Sequence, residues 1–448
     1  MSESEALGPP WKPHRSWADP LITLLAILAL MVAGSTLSAR REASRRPAEQ
    51  VSLQGRLAEV ALVGRSLLPG LGTGTSDWTR AESQLKEPWD HALLAVLKAE
   101  GLDQGGEARA WIDQATPAGP GGPAFRRVCL AAYAAGPAPS GADLAETRRR
   151  LGKGYAADLL EARLLDREGR GEALRLRART ALMTRLAGLG LLGLLVLGAG
   201  TAGLIVGVYL VGTRRRPPLL PLPAWSLSGR AAALVLLGWF LTFYLSSHLA
   251  GLLLLPRPGL RWLAGPLSYA LHAAAGVALL CWAEGISFNS LWRRVAPGRI
   301  GRDLGWGLAF LSLAVLLVMV VALASAWVVP PDQSPQRDLQ DLLRGLSGWG
   351  PSLLMFLTVA GLAPFFEELL FRGFLLPVLA RRLPTALALA GSALIFGAIH
   401  LQPAGLPVLG TLGLVLGLAM RHSGSLRTPM LVHACWNGGL FLLIRAFA

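Results

Sequence analysis

The chain has 448 residues, 52% of them hydrophobic and only 16% charged, where a soluble domain carries about 25% charged residues. Its formal net charge is +15, yet the arginines sit between long apolar runs rather than on one folded face, which sets nucleic-acid binding aside. The three cysteines, Cys129, Cys281 and Cys435, are far apart, with no C-x-x-C pair and no disulfide framework.

Residues 1–19 form a polar, proline-containing tail with Lys12 and Arg15. The apolar run from Leu21 to Ala39 is longer than most signal-peptide cores, and Arg40, Arg41, Arg45 and Arg46 follow it, so residues 20–39 are expected to be a membrane anchor. Residues 40–184 change character: charge is mixed and apolar residues recur at helical spacing, as at Leu57, Val60, Ala61 and Val63. Pro/Gly clusters such as 117–123 punctuate the stretch. Five or six amphipathic helices outside the bilayer are expected there, with Trp78, Trp89 and Trp111 as core residues.

From Ala187 the chain is apolar, with runs near 187–212, 229–255, 263–283, 305–329, 352–378, 385–402, 405–420 and 428–446. Most approach the roughly 20 residues that cross a hydrocarbon core. Backbone groups in lipid must be satisfied internally, so these runs are expected to be helices, about nine with the anchor. The chain divides accordingly into transmembrane helices over 185–299 and a core over 300–448.

The loops between the runs alternate in arginine content. The richer odd ones carry Arg214, Arg215, Arg216 and Arg230; Arg293, Arg294, Arg299 and Arg302; Arg381 and Arg382; and Arg421 and Arg427. The even ones carry Arg257 and Arg261, then Arg337 and Arg344 offset by Asp332, Asp338 and Asp341. Positive charge favours the cytoplasm. The odd loops are therefore expected inside and 40–184 outside, although the arginines behind the anchor pull the other way.

Seven acidic residues lie beyond Arg214, and two of them, Glu367 and Glu368, stand side by side within an apolar run. An ionisable group at bilayer depth costs about 2.5–3.5 kcal/mol on insertion scales, so the pair needs a partner or a function. Glu368 and Arg372 are four apart and share a helical face. Glu367 is rotated about 100° from Glu368 and is free to face a different cavity. On these residues alone, a buried ion-pair cluster that locks helices together is as good an account as a catalytic one.

The neighbouring runs shift the balance. Glu367 lies 15 residues before Arg382 and His400 lies 16 residues after Pro384, so an antiparallel hairpin brings both to one depth. His433 and Asn437, four apart in the last run, share a face. A carboxylate and an imidazole at one depth can hold a water and take its proton. A histidine and an asparagine one turn apart can donate to a developing oxyanion. The other use of Glu367, His400 and His433 is to ligate a divalent metal such as zinc. No H-E-x-x-H helix is present, and the residues leave the cofactor open. His248 and His272 each stand alone in their spans, where packing or an interhelical bond is the expected role.

The ordered set Glu367-Glu368-x-x-x-Arg372, Phe396-x-x-x-His400 and His433-x-x-x-Asn437 resembles the CPBP family, which includes type II CAAX prenyl proteases and bacteriocin-processing or immunity membrane proteins. The resemblance covers residues 300–448. It implies an intramembrane glutamate-type or metal-assisted endopeptidase. Glu367 and His400 would activate water, His433 and Asn437 would form the oxyanion site, and Glu368 and Arg372 would support the glutamate helix.

The expected fold is all-α, a polytopic transmembrane helix bundle with an extramembrane helical domain near the N-terminus. The expected partners are the bilayer and a membrane-associated or prenylated peptide substrate, with no nucleic acid. The expected location is a multi-pass position in a bacterial plasma (inner) membrane. A non-enzymatic scaffold or immunity protein of the same fold and a proton-coupled transporter are the rival readings.

Overall fold

The computed structural model describes residues 14–44, 50–67, 75–102, 106–152, 154–166, 169–212, 219–297, 300–328, 343, 346 and 348–447. Lys12 and the rest of the tail before residue 14 lie outside the described residues. So do Arg45, Arg46, Arg214, Arg215, Arg216, Arg299, Arg337, Arg344, Asp332, Asp338 and Asp341. The described residues form helices and no strand. Two compact units emerge, Met1–Ala43 with Val196–Leu442, and Ser44–Leu195 with Leu443–Ala448.

The second unit contains seven short helices, where five or six were expected: α2 (Leu53–Leu67), α3 (Thr75–Gln84), α4 (Pro88–Gly101), α5 (Ala108–Ala115), α6 (Gly122–Tyr133), α7 (Gly141–Leu151) and α8 (Tyr155–Leu165). The eight-residue α5 is too short to show a period in sequence. Trp89, Leu93, Ile112, Phe125 and Cys129 are buried in one core, and Trp89 meets Phe125 edge-on at 5.8 Å. Two of its buried acids are paired. Asp90 accepts from the Ser52 N–H at 2.7 Å and the Ser52 hydroxyl at 2.6 Å, and Glu59 accepts from the Ala156 N–H at 2.6 Å. Ser140 and Asp143 close a reciprocal cap at the start of α7. Trp78 and Trp89 are core residues as expected. Trp111 is half-buried and lines a cleft of about 500 Å³ with Glu82, His91, Lys98 and Gln114.

The first unit is built from α1 (Arg15–Ser44), the later part of α9 (Gly171–Gly212), α10 (Gly229–Leu254), α11 (Ala264–Glu284), α12 (Phe288–Val295) and α13 (Ile300–Ser325). The long broken helix α14 (Trp349–Ala380) follows, then α15 (Thr385–Ala398), α16 (Leu406–Ser423) and α17 (Arg427–Phe447). Seven described helices are long and apolar enough to cross a membrane. Their outward leucines are exposed, as at Leu194, Leu245 and Leu308. Two of the nine expected spans depart from this set for different reasons. α15 has only 14 residues, about 21 Å at 1.5 Å per residue, short of the ~30 Å hydrocarbon core. α17 has 21 residues, but Arg427, His433, Asn437 and Arg445 interrupt its apolar surface.

The odd loops are joined to one another at one end of this unit. Leu220 N–H bonds Arg421 O at 2.6 Å, and Leu426 N–H bonds Val295 O at 2.9 Å. Arg381 donates to Trp225 O at 3.1 Å and Leu227 O at 2.9 Å. The buried Glu284 accepts the Ser226 and Leu227 N–H groups at 2.7 and 3.0 Å and pairs with Arg294. Asp303 accepts from Ser425 at 2.8 Å and pairs with Arg427 at 3.0 Å. The extended segment 219–228 makes no ladder of its own, so arginine and glutamate side chains satisfy its backbone.

α14 departs from regular winding twice, with π turns at Thr358–Leu362 and Leu369–Leu375. Each lies just before a proline, Pro364 and Pro377. A proline has no N–H and its ring crowds the preceding turn, and a wider turn relieves both. Ala363 N–H reaches back five residues to Thr358 O. The next donor in that register would be Pro364, and Asn437 Nδ2 donates to the freed Val359 O at 3.1 Å. In the four-residue α register Pro377 would serve Gly373 O, which accepts instead from Trp225 Nε1 at 2.8 Å. Thus the two carbonyls released in a medium without water are taken up by side chains of other segments.

Candidate active site

The middle of α14 presents its two glutamates to different neighbours, as the 100° rotation between them requires. Glu368 is fully buried and pairs with Arg372 one turn on, Nη1 to Oε1 at 2.8 Å. Arg372 also donates to Gly413 O on α16 at 2.9 Å, and its guanidinium lies over the Phe396 ring at 4.4 Å. Gly413 also lets α16 lie close to α15, since a Cβ there would come within 3.1 Å of Phe396 and of the Ala393 backbone.

His433 of α17 joins the two acids. Its Nδ1 lies 2.8 Å from Glu368 Oε1, and its Nε2 lies 3.8 Å from Glu367 Oε2. Because a carboxylate oxygen can only accept, His433 donates through Nδ1–H, and Glu368 sets its ring orientation. Glu367, in turn, accepts a hydrogen bond from the Tyr269 hydroxyl of α11 at 2.7 Å.

His400 lies just past the end of α15. Its Nδ1–H donates to Phe396 O at 2.8 Å. Its ring meets Phe396 edge-on at 5.1 Å, and His433 meets the same ring at 5.7 Å. Phe396 is therefore the floor shared by both imidazoles and Arg372. The chain leaves α15 through Leu401, which takes φ +52, a left-handed turn that favours glycine. Asn437 spends one amide hydrogen on Val359 O.

Of the six expected site residues, Arg372 and His433 both bond Glu368, and Glu367 lies beside them with its Oε2 3.8 Å from His433 Nε2. His400 adjoins them across Phe396, and Asn437 reaches the first π turn of the glutamate helix. Tyr269 was not singled out from the sequence. A phenol in an apolar helix requires a partner for its hydroxyl, and that was the available signal.

Glu367 and His433 Nε2 point to a shared locus, and Glu368 holds the far nitrogen of His433, as a carboxylate often does for a histidine that binds a metal. However, no group of three His, Cys, Asp or Glu among the described residues is placed to hold a metal ion, whereas a catalytic zinc takes three protein ligands. Glu367, His400 and His433 do not come together as such a set. The residues do not fit a metal on their own, and no step is routed through one.

Fold and site together define a multi-pass helical membrane protein with a buried glutamate–histidine cluster. Residues 349–439 match the family described as Type II CAAX prenyl endopeptidase Rce1-like. The chain carries a domain of that kind, consistent with the CPBP and CAAX protease family. The match spans the helices that hold Glu367, Glu368, Arg372, His400, His433 and Asn437, and it supports CAAX-type membrane protease activity in general. Searches of curated proteins and of solved structures find no match.

Proposed function

We propose that the chain is an intramembrane endopeptidase that hydrolyses a peptide bond of a membrane-associated or lipidated protein, with Glu367 as general base. The observation that carries this reading is the bridging of two adjacent glutamates by one histidine from another helix, through opposite ring nitrogens. The 3.8 Å gap between His433 Nε2 and Glu367 is too wide for a direct hydrogen bond and leaves one water within reach of both atoms.

In the proposed reaction Glu367, with His400, takes a proton from that water, and the oxygen attacks the amide carbon. The carbonyl electron pair moves onto oxygen. The second amide N–H of Asn437 and, when both of its ring nitrogens carry protons, the Nε2–H of His433 are the donors proposed to receive that charge. Collapse of the adduct breaks the C–N bond, and the amine leaves with the proton held by Glu367. Glu368 and Arg372 do not touch substrate in this scheme. They hold His433 and the glutamate helix.

A prenylated C-terminal peptide is the first substrate class to try, and a bacterial plasma membrane with the odd loops in the cytoplasm is the proposed setting. Purified protein in lipid, given such peptides, is expected to cleave them. Glu367→Gln and His400→Ala are expected to lower the rate at least 100-fold, since acid–base groups contribute about 10²–10⁴. Undiminished cleavage by both variants would rule the assignment out. A chelator added to the same assay reports whether an ion takes part.

A further inference from the structure

We propose that Tyr269 of α11 is a positioning residue that holds the Glu367 carboxylate in its working orientation, so that the site needs a helix outside the matched segment. This rests on the peptidase reading for its catalytic consequence, but not for the contact itself. Tyr269 precedes residues 349–439 by a whole span, and nothing in the motif triple points to it.

The contact is a built one. The phenol oxygen lies 2.7 Å from Glu367 Oε1, the ordinary length of a well-made O–H···O hydrogen bond. Residues 269, 272, 273, 276 and 280 share one face of α11, and this face packs on α14. Gly276 sets the closeness, since a Cβ there would fall 2.3 Å from Phe366 Cζ, on the residue next to Glu367. His272 packs against Phe366 at 5.3 Å and Trp239 at 5.1 Å, and its Nδ1 lies 3.2 Å from Thr242 Oγ1 of α10. The Tyr269 ring rests against His272 at 5.8 Å. The ring packs at the edge of this aromatic cluster, and its hydroxyl meets Glu367.

Glu367 is thus held from two sides. Tyr269 bonds Oε1, while Oε2 faces His433. A carboxylate has two oxygens and one torsion that turns them. Pinning Oε1 to α11 keeps Oε2 on the imidazole side, where the water is used. Without the hydroxyl, Glu367 can rotate away while Glu368, Arg372 and His433 stay bonded.

Tyr269→Phe removes only the oxygen and keeps the packed ring. In full-length protein in lipid vesicles, the infrared carboxylate band of Glu367 is identified by its loss in Glu367→Gln. That band is expected to move in Tyr269→Phe, and an unmoved band overturns the contact. With a quenched fluorescent prenylated peptide as probe, Tyr269→Phe is expected to lower kcat about 10- to 100-fold, the size of a hydrogen bond to a charged group. KM and the unfolding midpoint should stay unchanged. Loss of cleavage in Glu367→Gln with wild-type kcat in Tyr269→Phe would overturn the positioning role and leave the peptidase reading standing. Wild-type cleavage by Glu367→Gln would end the peptidase reading, and the infrared band would then decide the contact alone.

Discussion

Arg372 is fully buried, and Glu368 is its ion-pair partner. Truncating one member of a buried pair strands the other charge, at a cost of about 3–5 kcal/mol. Arg372→Ala is therefore expected to lower the unfolding midpoint sharply in detergent, far more than an exposed arginine would. Leu401, at φ +52, is the opposite case. Leu401→Gly relieves a left-handed turn at about 1–2 kcal/mol, so chemical denaturation is expected to show a gain in stability. The glutamates, Arg372 and His433 were legible beforehand, because charge in an apolar run demands a partner and four-residue spacing supplies one face. Tyr269 was not, since a lone phenol in an apolar run has no spacing to mark it. The partner of Asn437 was hidden too: it is a backbone carbonyl, freed only because the helix widens.

At the level of elements, the two π turns of α14 place a proline and a rescuing side chain in correspondence. Trp225→Phe would leave Gly373 O buried without a donor, costing about 1–3 kcal/mol. Pro377→Ala in the same chain restores an N–H within reach, so the double variant is expected to be more stable than Trp225→Phe alone in a double-mutant cycle. The apolar runs announced that helices exist but not how they are wound, since periodicity does not distinguish four from five residues per backbone bond over one turn. They also overstated α15, because the apolar residues continue through a terminus that Leu401 and Pro403 impose. In the unit of short helices, hydrogen bonds from Arg127 and Ser140 hold the Asp143 carboxyl down to about 2, against an ordinary 3.8. Its cap is thus at full strength above pH 3.8 and is lost as pH falls through about 2. Asp143→Asn should remove this part of the acid dependence, read as helical circular dichroism against pH.

Across the membrane unit as a whole, the two ends differ. One end is stitched by arginine and glutamate bonds among its loops. At the other, Trp327 and Trp349 stand almost fully exposed, the habit of residues at a headgroup boundary. α15 starts from the stitched end and stops after 14 residues, a rise of about 21 Å, and His400 follows two residues later, between the two ends. A cutter mounted at a set height works as a ruler. On the peptidase reading, a substrate threaded from the tryptophan side is severed at a constant distance from its own membrane boundary, whatever residues happen to sit there. Sliding a substrate's anchor by three residues should move the cut by three residues, as mass spectrometry of the fragments would show.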